Sequence, residues 1–313
     1  MKSLELAELQ HLRQYPKLKV FYCDQHHFPL PTGHKFPLAK YRLLREMLEA
    51  DGPFALEEAP LATRDDVLRV HTSDYADSFL QGTLAPGVMR RIGFPWSPEL
   101  VRRTLASAGS TLKAVETALD AGVSGTLAGG THHAFRSEGS GFCVFNDLAI
   151  AIEYLREHRH LRRVAVIDLD VHQGDGTAAI FSGDRNVFTL SVHGRKNFPF
   201  RKQQSTLDIE LEDGTEDEEY LSQVRKALAQ IWQFGPEMIL YQSGVDGLKS
   251  DRLGRLALTA EGLRQRDEMV LNNAKRIGIP VAITLGGGYS EPLELTVTAH
   301  ANTFRTASQI LNR

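Results

Sequence analysis

Apolar residues fall into two alternating patterns along this chain. Short runs recur at Lys19–Tyr22, Gly125–Ala128, Val164–Leu169, Val187–Val192, Met238–Gln242 and Val281–Leu285. Most are apolar at successive positions, as strands covered on both faces must be. Between them, apolar residues return every three or four positions over Pro98–Ala121, Asn146–His158, Glu216–Phe234 and Thr259–Ile277, which predicts amphipathic helices. This exchange of short strands with longer helices predicts an α/β fold. We expect a single domain over residues 1–313, built on an open parallel sheet with helices on both faces. No internal repeat or low-complexity tract interrupts it.

The segments that follow the strands are polar and unusual. They read GGTHHAFRSEGSGFC, DVHQGDG, HGRKNFPF, SGVDGLKSDRLG and GGGYS, so histidine, aspartate, glycine and a tyrosine gather at the same end of successive strands. In an open parallel sheet that end is where ligands bind.

Composition narrows the partners. With 36 basic and 39 acidic residues spread along 313, the formal net charge is -3, which offers no bulk attraction to nucleic acid or an anionic membrane. Cys23 and Cys143 are the only cysteines, too few for a disulfide framework and not arranged as a CxxC pair. The first 24 residues carry scattered charges without an apolar core for export, and no segment approaches the roughly 20 apolar residues of a membrane span. The expectation is a cytoplasmic protein of undetermined oligomeric state.

Asp170 and His172 are two apart, and residues i and i+2 of an extended chain share a face. Asp246, just past the strand containing MILYQS, occupies the equivalent place on another strand. One imidazole and two carboxylates would hold a zinc ion and leave a position for water, as in catalytic sites. Read alone, Asp170 is equally a helix cap and His172 a packed loop residue. The tandem His132–His133 adds a second signal, because Asp168 and Asp175 are available to orient one imidazole each. A carboxylate bound to one ring nitrogen fixes the tautomer and raises the basicity of the other.

Together, GGTHHAFRSEGSGFCVFND, DLDVHQGDGT, SGVDGLKSDRLG and LGGGYS resemble the signatures of the zinc-dependent histone deacetylase family, bacterial or class IV-like members included, within the arginase/deacetylase fold. The resemblance implies a lysine deacylase in which Asp170, His172 and Asp246 bind one zinc ion. His133, backed by Asp175, would be the general base, and His132, backed by Asp168, its electrostatic partner. Tyr289 would polarise the amide carbonyl. Gly141 and Phe142 would line the acyl-lysine channel opposite Phe198, although Phe200 in the shorter HGRKNFPF loop is an alternative for that wall. A structural potassium ion would take the side chains of Asp168 and Ser191 and the backbone carbonyls of Asp170, His172 and Val192.

Three alternatives bear on this reading. Dimanganese hydrolases of the arginase type resemble one another in a DxHxD run, and Gly174 stands where their second aspartate would be. Polyamine deacetylases of the family resemble one another in a glutamate seven residues after the third metal ligand, where this chain has Leu253; Asp251 is the nearest substitute. A nonenzymatic acyl-lysine-binding scaffold would be expected to lack a ligand, base or tyrosine, and none is missing. The expected substrate is therefore an acyl-lysine protein or peptide, with small acylated amines as the competing class. Trp96 reads equally as rim aromatic or packing residue, Cys143 as cavity-facing or structural, and His26, His27 and His34 receive no role.

Overall fold

A computed structural model describes residues 16–312; the N-terminal segment in which no export signal is read lies mostly outside them. Eight strands form one sheet: β1 (Leu18–Tyr22), β2 (Phe54–Glu58), β3 (Val123–Thr126), β4 (Val164–Asp168), β5 (Val187–Gly194), β6 (Leu207–Leu211), β7 (Met238–Gln242) and β8 (Val281–Thr284). Their spatial order is β2-β1-β3-β8-β7-β4-β5-β6, and every pairing is parallel. Among the described residues ten helices accompany them: α1 (Ala39–Asp51), α2 (Arg64–Leu68), α3 (Ser73–Gln81), α4 (Pro86–Ile92), α5 (Pro98–Ala121), α6 (Asp147–Arg159), α7 (Asp175–Ile180), α8 (Asp217–Phe234), α9 (Ala260–Ile277) and α10 (Leu293–Leu311).

Alternation along the strands divides the core into two. Ala165, Ile167, Ile239, Tyr241 and Ile283 face a cluster completed by α1, α8, α9 and α10. Val164, Val166, Met238, Leu240 and Ala282 point the other way, into a cluster completed by α2 to α7. Helices thus cover both faces, and continuous apolar runs result because both strand faces are buried. Each fully buried Val, Leu or Ile contributes about 1.5–3 kcal/mol through apolar burial.

The long helices start where the sequence supplies caps. The Ser97 hydroxyl accepts from the Leu100 amide at 3.1 Å, Asn146 Oδ1 from Ala149 at 2.9 Å, and Thr259 Oγ1 from Gly262 at 3.0 Å, each satisfying an otherwise unpaired first-turn N–H. Two strands, β2 and β6, fall outside the six expected. They are the sheet edges, and their sequences FALEE and LDIEL are largely half-buried or exposed, so acidic residues interrupt the apolar run that marks an interior strand.

The chain visits β1 and β2, returns to β3, then jumps to β4; β7 and β8 later fill the gap. The carboxyl ends of β3, β8, β7 and β4 therefore lie side by side. The four segments carrying His132–His133, Tyr289, Asp246 and Asp170–His172 follow these four neighbouring strands.

Candidate active site

Beyond β4 the backbone turns so that Asp170 and His172 meet Asp246 from the end of β7. His172 Nδ1 lies 3.0 Å from Asp170 Oδ1 and 3.0 Å from Asp246 Oδ2, and one ligand atom from each residue falls within 4.8 Å of the others. All three are at the floor of the fold, the two carboxylates being fully buried. Burial, then repulsion from Asp170, pushes the Asp246 carboxyl up to about 7. Against the cost of burial, the two carboxylates hold the His172 imidazole up at about 10. Two buried carboxylates crowded around one imidazole form a cation-seeking donor set of the kind that binds a divalent metal.

The loop from β8 closes this floor with backbone. The Gly287 amide donates to Asp170 Oδ2 at 2.6 Å, and a methyl group at Gly287 would overlap the Asp246 carboxylate. A side chain is equally excluded at Gly174, where a Cβ would collide with Asp168 Oδ2 and come within 3.2 Å of His132 Nδ1. The place of a second metal-binding aspartate is therefore sterically closed.

The tandem histidines enter from β3. His132 Nδ1 meets Asp168 Oδ2 at 2.7 Å, and His133 Nδ1 meets Asp175 Oδ1 at 2.6 Å, so each ring has its own carboxylate. Their environments differ. Burial lowers His132, but the charge and hydrogen bond of Asp168 outweigh it and raise the imidazole to about 9. Burial and the neighbouring His132 lower His133 to about 4. With Nδ1 of His133 against Asp175, Nε2 is the nitrogen left to accept a proton, on a ring whose surroundings disfavour the charged form, beside a His132 whose charged form Asp168 favours.

Asp170, His172, His132 and His133 line one cavity of about 630 Å³, with Asp246, Asp168 and Asp175 directly behind them. Gly141, Phe142, Phe198 and Leu253 all line it. The Phe198 ring stands edge-on to His133 at 4.9 Å, and a Cβ on Gly141 would lie 3.1 Å from Phe198, so Gly141 and Phe198 bound the same narrow passage. Phe200 reaches the cavity only at its mouth and is 88% exposed; of the two wall alternatives, Phe198 has the channel position. Tyr289 is buried on the same floor, and burial raises its hydroxyl well above the usual phenol range, keeping it a neutral donor.

Other residues resolve into packing or support. Trp96 donates from Nε1 to the Phe79 carbonyl at 2.7 Å and does not line the cavity. Cys143 is buried and lines the cavity as well. His34 stacks on Phe94 and meets Phe142 edge-on, while its Nε2 lies 2.9 Å from the Gly93 carbonyl. Asp251 is committed to backbone: it accepts from Leu253, Gly254 and Tyr289 amides at 2.8, 2.9 and 2.6 Å, so it anchors the tyrosine loop and does not line the cavity. For the expected potassium position, Asp168 and Ser191 are register partners across β4 and β5.

Several contributors were missed from sequence. Lys40 is fully buried, donates to the Gly286 carbonyl at 3.1 Å and lines the cavity, with burial lowering it to about 8. Gln242 brings its amide within 2.7 Å of His132 Nδ1. Arg266, also fully buried, donates to the Gly244 and Leu169 carbonyls at 2.5 and 3.4 Å and pairs with Asp267, pinning the two backbone segments that carry Asp170 and Asp246. A lysine or arginine on an amphipathic helix ordinarily marks a solvated face, so local pattern held no signal for Lys40 or Arg266.

Comparison with known proteins places the chain in a family. Residues 34–304 match the family model described as histone deacetylase domain. A protein of Picosynechococcus is 42% identical over 93% of this chain and 98% of its own length. Histone deacetylase 2 of Arabidopsis thaliana is 31% identical, covering 82% of this chain and 70% of that one. Among solved structures, a histone deacetylase homologue complexed with SAHA superposes with a TM-score of 0.81 at 26% identity, covering 94% of this chain and 84% of that one.

Proposed function

Because this chain belongs to the histone deacetylase family, we propose that it is a zinc-dependent amidohydrolase removing acetyl or longer acyl groups from lysine side chains of proteins or peptides. The observation that carries this is the convergence of Asp170, His172 and Asp246 with two His–Asp pairs and Tyr289 at the blind end of one aromatic-walled channel. We read residues 1–313 as one catalytic domain.

Zinc held by Asp170, His172 and Asp246 would supply Lewis acidity toward both water and the amide carbonyl. The chain's own residues do the rest. Phe142 and Phe198 enclose the aliphatic stem of the acyl-lysine and exclude solvent. His133, with Nδ1–H committed to Asp175, accepts through Nε2 a proton from the water attacking the carbonyl carbon, then delivers it to the departing amine. His132, kept cationic by Asp168, stabilises the negative charge that gathers during attack. The Tyr289 hydroxyl donates to the carbonyl oxygen as charge builds there, an interaction stronger in the transition state than in the bound substrate. Potassium at Asp168 and Ser191, completed by the carbonyls of Asp170, His172 and Val192, is part of the same proposal and rests on the family resemblance alone.

Acetylated polyamines are the second reading. They require an anionic group near the mouth, and Leu253 offers none while Asp251 is spent on backbone amides. The scaffold alternative loses support because every reactive group is in place. The test is elemental analysis of purified protein together with hydrolysis of acyl-lysine peptides and N-acetylated polyamines, with and without a chelator. One zinc per chain and chelator-sensitive turnover, faster on peptide, is expected; chelator-insensitive protein without zinc would overturn the metal assignment.

A further inference from the structure

The mouth of the channel departs from the charge of the chain as a whole. The sequence is acidic by three charges, yet Lys and Arg supply five of the residues lining the cavity, and the one carboxylate among them is Asp170 at the floor. Lys40 and Arg103 are buried. The other three, Arg91, Lys196 and Arg255, have side chains 54%, 61% and 54% exposed.

They come from three separate segments that build the channel walls. Arg91 lies in α4, and its carbonyl accepts from the Gly141 amide at 3.2 Å, beside the Phe142 wall. Lys196 precedes the Phe198 wall by two residues, and Arg255 follows Leu253 by two. The nearest carboxylates do not line the cavity. Glu138 meets Arg91 through one nitrogen at 2.9 Å, and Asp213 is divided between Arg255 at 3.2 Å and Lys196 at 3.6 Å, one negative charge for two positive ones. The exposed Phe200 ring stands at the same mouth, an apolar surface against which an extended peptide can lie.

We infer that this mouth is a specificity surface for acyl-lysines flanked by anionic side chains, that is, by aspartate, glutamate or a phosphorylated residue. The inference rests on the amidohydrolase reading and adds to it the chemistry of the substrate's surroundings. An anionic flank meets three cations from three directions that Glu138 and Asp213 offset only in part, leaving a surplus of one positive charge, whereas a lysine- or arginine-rich flank meets that surplus as like charge. Exposed pairs are individually weak and screened by salt, so three acting together give a preference of about ten-fold at low ionic strength.

The experiment uses one acyl-lysine peptide in four versions, with uncharged, Asp/Glu, phosphoserine or Lys/Arg flanks, and measures kcat/KM at low and high salt. The anionic versions should exceed the uncharged one by about five- to ten-fold at low salt and converge with it at high salt, with the cationic version lowest. In the triple variant Arg91→Gln, Lys196→Gln, Arg255→Gln, the ratio between anionic and uncharged versions should fall to near one; that ratio cancels any general change in turnover or folded fraction. Aspartate and phosphoserine arms separate a carboxylate from a phosphate preference. Turnover independent of flank, or a preference that survives the triple substitution, overturns the inference and leaves the deacylase reading standing. Absence of turnover on every version overturns both.

Discussion

The floor and the mouth of the same cavity are built by opposite means. At the floor, most of the side chains that could react are buried and several are held by a short hydrogen bond: His132 by Asp168, His133 by Asp175, Asp170 by the Gly287 amide. At the mouth, Arg91, Lys196, Arg255 and Phe200 are half exposed or more, with at most solvent-facing ion pairs to restrain them. Chemistry that needs groups placed within a fraction of an ångström is carried by the first, and choice among substrates by the second. Substitutions at the floor should therefore act on metal content and kcat, and substitutions at the mouth on the ratio between substrates.

The sharpest break is at the metal ligands. Asp246→Ala or His172→Ala should remove zinc and activity together, since a three-ligand site has no spare donor; full zinc content in either purified variant would contradict the assignment. Next come the groups that act on protons and charge. His133→Ala should lower kcat at least ~100-fold with zinc retained, and Tyr289→Phe should do likewise while changing KM far less. Steady-state kinetics paired with metal analysis distinguishes both from loss of the ion. Smaller still, Arg266→Met should weaken zinc affinity about ten-fold, within the range for groups that orient metal ligands, while Arg266→Lys recovers part of it; chelator competition measures this without reference to turnover. The mildest effect belongs to the mouth. Leu253→Glu should raise kcat/KM for N-acetylated polyamines about ten-fold relative to acyl-lysine peptide, as a partly exposed pair to a cationic substrate allows. An unchanged ratio would place polyamine selectivity elsewhere.

Interior strands were legible because burial on both faces leaves runs such as VAVI, with no polar position before Asp168 at the strand's end, and their polar sequels then had to lie at one end of the sheet. The grouping of Asp170, His172 and Asp246 followed from the same placement, whereas which carboxylate stands behind which histidine came from the family resemblance. What escaped is what local pattern cannot encode. FALEE and LDIEL look like loop because edge strands are wet on one side. In α10, LELTVTAHANTFRTASQIL buries threonines, a serine and a histidine alongside Val297, Phe304 and Ile310, which breaks up the apolar stripe in the sequence. Lys40 sits on a helix whose other charges are half-buried or solvated, and Arg266 turns inward with only its neighbour Asp267, so the packing of distant segments is what reveals that these side chains point inward. Asp251 reads as a rim carboxylate by its distance along the chain from Asp246, and its three backbone partners become visible only once the β8 loop is folded beside it.

Gly174 and Gly287 set a boundary on the protein's possible descent. At either position the smallest side chain would occupy space already held by a carboxylate of the floor. A drift toward a two-metal hydrolase through Gly174→Asp is consequently not open as a single step, because Asp168 and His132 would first have to yield the space. The aromatic and charged residues nearer solvent face no such barrier. Divergence among descendants of this chain is thus channelled toward which molecules are admitted and away from how the bond is cut.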